Sequence, residues 1–386
     1  MSNVYLDHAA TTPLREDVLA AMEPYLSATF GNPSSSHRWG QAAAAALEDA
    51  RARLATAIGA SPSEVRFVRG GTESDNLALI GGVRAMAKTN PPRTPIVLVS
   101  AIEHSAVLEP AEWLHKRAEA EMRVIPVAID GTLDLLSVSM DLAARPFLAS
   151  VMWANNETGL LLPIDHVVSW AKELGGIVHT DASQAVGKVR IDVAESGVDL
   201  LTATGHKLGG PRGCGVLYVQ AGVEVEPLIF GGGQERSLRP GTEDVAGAVG
   251  LAEAIHLAVA DLAVAGARMA AVRDRLQARL VAQIPGLRVN CADGQLAPHV
   301  LSLGIPEVID GAAFLMALDL EGVAASGGSA CHSGAMAGSH VIAALYGTDD
   351  PLATVRLSVC RGTTEADVDR GAEVVTAVWH RLRSNA

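Results

Sequence analysis

The chain has 386 residues, enough for two domains with substantial cores. Aromatic residues make up only 4% while glycine alone contributes 38 residues, so small and branched aliphatic side chains must fill those cores. Thirty basic against 43 acidic residues give a formal net charge of −13, which argues against an extended nucleic-acid footprint and its basic face.

The first residues lack a basic region followed by an apolar stretch, so no signal peptide is expected. Residues 42–58 have helical composition, and 64–68 alternate like a strand. Residues 77–88 are predicted helical. Strands are expected at 96–100, 123–127 and 147–152, a helix at 164–174 and a strand at 176–181. A short apolar stretch, 198–201, precedes a glycine-rich segment. Helical stretches alternating with short apolar runs predict an α/β layer with a largely parallel sheet. Residues 245–272 are the most hydrophobic region, but Glu253, His256, Asp261 and Arg268 interrupt it. It reads as a long amphipathic helix or helix pair, not a membrane span. Beyond Pro285 and Gly286, strands at 299–303 and 355–359 and helices at 312–320 and 365–383 predict a second, smaller α+β domain. The expected division is 15–255 for the large domain, with 1–14 and 256–386 forming the small one.

Four cysteines, Cys214, Cys291, Cys331 and Cys360, lie far apart with no C-x-x-C pair. They do not read as a disulfide scaffold and favour a reducing, cytoplasmic setting. Each by default is a small buried hydrophobe. Cys331 is the exception, because Ser326, Gly327, Gly328, Ser329 and Gly334 surround it with small residues suited to a mobile loop.

Candidate chemistry follows successive strands. Lys207 stands in Thr204-Gly205-His206-Lys207, and Gly209 and Gly210 permit close approach of another group. A lysine in a loop is usually a solvated charge; this setting fits a Schiff-base lysine instead, which requires a depressed pKa. Asp181 ends an apolar strand, where open α/β sheets place ligands. It reads either as a helix cap or as an anion that keeps a pyridinium nitrogen protonated. Gly70-Gly71-Thr72 opens a helix. Thr72 with Asp75 matches a capping box, and the bare amides also suit a phosphate. His104 is either a satisfied loop residue or a ring-stacking proton carrier. Asn156 and Gln184 follow two further strands and are placed to hydrogen-bond a ring hydroxyl.

These residues fall within a longer series: residues 5–13, 31–35, 71–76, 103–104, 155–159, 181–184, 205–207, 233–236, 240–243, 329–331 and 356–358. With them the chain resembles the NifS/IscS-type cysteine desulfurases, pyridoxal phosphate enzymes of the class V aminotransferase group with fold type I architecture. The resemblance covers almost the whole chain. It implies a large domain with a mostly parallel seven-stranded sheet and a smaller α+β C-terminal domain.

By position, the resemblance implies that Lys207 carries the cofactor as a Schiff base, Asp181 pairs with its ring nitrogen and His104 stacks on the ring. Asn156 and Gln184 meet the ring hydroxyl side. Gly71, Thr72, Thr204 and His206 hold the phosphate, and Thr242 reaches it from the other subunit of a homodimer. Arg356 binds the substrate carboxylate. Cys331 takes sulfur from L-cysteine as a persulfide, leaving L-alanine, and passes it to a sulfur-acceptor protein. No resident metal is implied; any iron–sulfur contact is transient and runs through Cys331. Neither direct nucleic-acid binding nor membrane association is implied. The same motifs are compatible with a selenocysteine lyase and with a cyst(e)ine C–S β-lyase, which would release pyruvate without Cys331. A scaffold without chemistry is disfavoured by the joint presence of Lys207, Asp181, His104 and Cys331. The sequence departs from the family pattern at Thr204, where serine is usual, and at Cys360, where glycine is expected. It also departs at Ala337-Gly338-Ser339, beside the sulfur-delivery loop.

Overall fold

The computed structural model describes residues 3–89, 91, 93–308, 310–327 and 338–383. Cys331, His332, Ser333 and Ala337 lie outside the described residues. Twelve strands are numbered in chain order: β1 Val4–Tyr5, β2 Val65–Val68, β3 Ile96–Ser100, β4 Glu121–Ile125, β5 Phe147–Ser150, β6 Ile177–Asp181, β7 Leu200–Thr204, β8 Gly215–Val219, β9 Arg288–Val289, β10 Val300–Ile305, β11 Val323–Ala324 and β12 Ala353–Ser358.

Seven strands form the main sheet in the order β2-β8-β7-β6-β5-β3-β4. β4, β3, β5, β6 and β7 pair in parallel, and β8 pairs antiparallel with both β7 and β2, so of the seven β8 alone runs against the rest. Every residue of β3, β5, β7 and β8 is buried. A strand covered on both faces cannot alternate polar with apolar, which is why these runs read as continuous hydrophobic segments. Their side chains still alternate in direction. Ile96 and Leu98 join one apolar cluster, and Val97 and Val99 join another on the opposite face.

A third apolar cluster is built from Val4 and Leu6, from the helix Leu262–Gln283, and from β10, β12 and the helix Glu365–Leu382. β9, β10 and β12 form an antiparallel sheet, and β1 pairs in parallel with β11. We propose that this separate core is the small domain, the N-terminal strand completing it through β11.

Three sequence expectations change in detail, and a fourth resolves to one of its two forms. The strand expected at 123–127 is β4, two residues earlier, because Pro126 has no N–H for a ladder. The helix expected at 77–88 is continuous from Gly71 to Thr89, with a π-type turn over Leu77–Gly81. Gly81 is required there, since a Cβ would fall 2.4 Å from the Glu226 carbonyl oxygen. The long apolar region is a helix pair, Val245–Ala260 and Leu262–Gln283, bent by 77° at Asp261. Asp261 is paired at this break with Arg361. No single helix among the described residues is long and apolar enough to cross a membrane. The expected capping box at Thr72 and Asp75 does not form. Gly70 is the N-cap without a side-chain bond, and Asp75 is buried at 1% exposure. Such boxes form instead at Ser61 with Glu64 and at Thr364 with Asp367.

Candidate active site

The carboxyl ends of the parallel strands, where loops leave the sheet, open on a cavity of about 230 Å³. Its wall holds Gly71 and Thr72 after β2, His104 after β3, Asn156 after β5, Asp181 at the end of β6, and Thr204, His206 and Lys207 around the end of β7. Arg356, on β12 of the second core, closes it. Nine of the residues singled out in the sequence are thus brought to one space from six strands.

Five of them are held by bonds to neighbouring protein groups. His104 caps the helix Ser105–Lys116: its Nδ1 accepts the Ala106 N–H at 3.1 Å. A neutral His104 therefore carries its proton on Nε2. The Asp181 carboxylate is 8% exposed, and its Oδ1 accepts the Ser183 N–H at 2.8 Å. The Lys207 carbonyl accepts the Lys188 ammonium at 3.1 Å. His206 is pushed down to about 4 by burial and by the cations Lys207 and Arg212, so it is neutral, with Nδ1 3.2 Å from the Thr11 hydroxyl. Arg356 is 2% exposed; Nη1 donates to the Asn156 carbonyl and Nη2 to the Asp7 carboxylate, both at 2.7 Å.

Gln184 and Thr242 stand off this wall. The Gln184 amide is spent on other partners: Nε2 donates to the Ala9 carbonyl at 2.8 Å, and Oε1 lies 3.0 Å from His299 Nε2. Thr242 is exposed. Cys331 lies outside the described residues, and its distance from the cavity is not described.

Several lining residues escaped sequence reasoning. Ser183 stands inside a motif already singled out, between Asp181 and Gln184, and its hydroxyl lies 3.3 Å from where a Cβ on Gly71 would sit. His340 comes from a distant helix, with Nε2 2.9 Å from the Glu103 carbonyl, and no local pattern marks it. Asp75 was read as a helix cap. Burial and the nearby Asp181 carboxylate push its own carboxyl well up, which favours the protonated form. His179, 3.6 Å away and pushed down to about 4 by burial, is neutral, so the two do not form an ion pair. Among the described residues, no group of three or more His, Cys, Asp or Glu side chains is placed to hold a metal ion.

A lysine, a buried carboxylate and an imidazole that share one cavity with hydroxyls and a glycine-led helix start define a donor set for a cationic heterocycle bearing an anionic arm. A sequence model for the class-V aminotransferases matches residues 4–370. The chain belongs to this family. Within it, the chain stands beside proteins named as cysteine desulfurases. One from Nostoc sp. is 40% identical over 100% of this chain and 94% of its own length. A solved NifS-like protein superposes with a TM-score of 0.88 at 32% identity, covering 98% of this chain and 100% of that one. A structure of SspA in complex with cysteine matches with a TM-score of 0.79 at 29% identity, covering 94% and 100%.

Proposed function

We propose that this chain is a pyridoxal phosphate-dependent cysteine desulfurase that converts L-cysteine to L-alanine and holds the sulfur as a persulfide on Cys331. The convergence of Lys207, Asp181 and His104 on one cavity carries this reading. The donor set fits the cofactor. Lys207 would hold its aldehyde, Asp181 its ring nitrogen and His104 its face, with Asn156 on the ring-hydroxyl side. Gly71, Thr72, Thr204 and His206 would take its phosphate, with Ser183 beside them. When bound, pyridoxal phosphate supplies an electrophilic carbon and an electron sink for the substrate's α-carbon.

The protein's own groups do the rest. The Arg356 guanidinium, fixed by Asp7 and Asn156, is the group that would meet the substrate carboxylate and orient the amino acid. Lys207 is the base that would take the α-proton of the substrate. His104, with its proton on Nε2, is set to donate or receive a proton on the cavity side. The Cys331 thiolate takes the substrate sulfur, and the three-carbon remainder leaves as alanine. The sulfur then passes to an acceptor protein. Thr242, exposed and away from its own cavity, supports a homodimer in which it reaches the partner's site.

The test is product identity. Purified protein given L-cysteine and a reductant is expected to yield alanine and sulfide in equal amounts, with a loss of about 100-fold or more in Cys331→Ser. Pyruvate formed undiminished by that variant would replace this reading with a β-lyase. A strong rate preference for L-selenocysteine that survives loss of Cys331 would replace it with a selenocysteine lyase.

A further inference from the structure

A second cavity, of about 480 Å³, shares Lys207 with the first. Leu14, Leu208, Ala258, Ala265 and Met269 supply much of its apolar wall. Cys360 also lines it, at the position where the family pattern led us to expect glycine. The loop after β12 and the segment after β1 meet here. The His8 N–H reaches the Ser358 carbonyl at 3.5 Å, and the Ala9 N–H donates to the Ser358 hydroxyl at 2.8 Å. This crossing brings His8 and Cys360, from the two ends of the chain, to one wall.

The thiol is unlike the other described cysteines. Burial alone would raise it. Its side-chain interaction with the His8 imidazole, the Gly362 N–H at 3.3 Å and the Thr363 hydroxyl at 3.7 Å outweigh that cost and bring it down to about 6. Cys214 is pushed up to about 12 by burial and by Asp244, and Cys291 is raised by burial. The charged groups around Cys360 are predominantly cationic. Lys188, 7% exposed, interacts electrostatically with it, and Lys207 and Arg361 share the cavity. Asp367 and Glu16 are the acids in the wall.

A second observation points to a ligand. His8 is 6% exposed and stands edge-on to Tyr5, and its buried Nδ1 has no hydrogen-bond partner among the described residues. Arg15, also in the wall, buries an Nη1 without a partner. Unsatisfied buried nitrogens beside an open space are costly unless a guest completes them.

We propose that Cys360 is a second nucleophilic thiol, a covalent site for small amino-acid disulfides, with His8 as its positioning residue. The apolar wall suits the methylene–sulfur body of such a disulfide. Arg15 and Arg361 suit its carboxylates, and Glu16 and Asp367 its ammonium groups. The Cys360 thiolate attacks one sulfur. A new S–S bond to Cys360 forms as the old S–S bond breaks, and the departing half leaves as a thiolate that takes a proton from water. The thiol is oxidised and the disulfide reduced, with no further reagent. This site does not rest on the desulfurase reading.

The experiment uses the Cys331→Ser holoenzyme, so that the described cysteines are the ones compared. At pH 7 with L-cystine, peptide mapping is expected to find one cysteinyl adduct on Cys360, released by dithiothreitol and formed about 10-fold or more faster than at Cys214 or Cys291. Iodoacetamide, small and uncharged, reads the thiol independently of the fit of the disulfide. Its rate at Cys360 is expected to titrate well below that of a free thiol, and His8→Asn is expected to move that midpoint upward and slow labelling at pH 7 about 10-fold. If both reagents reach Cys360 only after urea unfolds the chain, the proposal is overturned. Labelling by iodoacetamide but not by L-cystine overturns the ligand class, and an unmoved midpoint in folded His8→Asn overturns the role of His8. The pH profile of the parent decides the thiol even if that variant does not fold.

Discussion

Glu103 shows how a single residue beneath the site couples it to stability. It is fully buried, accepts the Ser100 hydroxyl at 2.5 Å and the Met152 N–H at 2.7 Å, and burial pushes its carboxyl up to about 8. The unfolded chain releases this proton near 4.5 and the folded chain near 8. Between those values the folded state binds more protons, so raising the pH favours unfolding. The stabilising contribution is complete below 4.5 and is lost by about 8. Glu103→Gln keeps the shape and removes the titration. Denaturant melts across that window are expected to show the parent losing up to about 1 kcal/mol per pH unit relative to the variant. Parallel curves for the two proteins would refute the buried, proton-bearing Glu103. In the sequence Glu103 stands out only as part of the span 103–104, because burial is invisible in a local pattern.

Among the elements, the loop from Gly231 to Thr242 is the most strained. Glu235, Arg236 and Ser237 stand consecutively at φ of 45°, 57° and 65°. Each non-glycine residue held there costs roughly 1 kcal/mol or more. The Glu235 carboxylate holds the loop down. It accepts Arg51 Nη2 at 2.7 Å and Nη1 at 2.8 Å and the Phe67 N–H at 2.9 Å, with the two charged side chains 3% and 6% exposed. Arg239 adds a bond to Glu73 at 2.9 Å. This anchoring ties the approach to Thr242 to β2 and to the helix Arg38–Ile58, and so to the edge of the sheet. Glu235→Gln leaves a buried guanidinium half-compensated and is expected to cost about 3 kcal/mol, read by urea unfolding. A cost below about 1 kcal/mol would show that the pair does not hold the loop. Strand and helix identities were legible from periodicity here, but the left-handed run was not. No glycine stands within it, and the long-range pair that sustains it joins residues far apart in the chain.

For the whole molecule, two observations bear on assembly. Phe30 and Phe230 are 73% and 83% exposed, and Thr242 is exposed and does not line its own cavity. We propose that a second copy covers these residues. Sedimentation is expected to give twice the 40.0 kDa chain mass. Phe230→Glu is expected to shift the protein toward the single-chain mass and lower desulfurase activity about 10-fold or more, because a charge at a buried contact is costly. A fully active protein of single-chain mass would sink the cross-subunit role of Thr242.

The sequence by itself determined the α/β alternation, the mostly parallel sheet and the family. Those rest on local periodicity and on motifs whose residues lie within a few positions of one another, as in Gly205-His206-Lys207. It also marked nine of the cavity's residues, eight of them because a parallel sheet delivers the residues after each strand to one edge. Only the tertiary structure decided the rest. It turned Asp75 from a cap into a buried carboxyl pushed well above its usual range, assigned Gln184 to Ala9 and His299, and brought in Ser183 and His340. It also changed Cys360 from a small buried residue into a thiol set against His8. Each of these outcomes depends on burial and on contacts between distant segments, and desolvation and charge proximity are properties of the folded arrangement that no stretch of sequence contains.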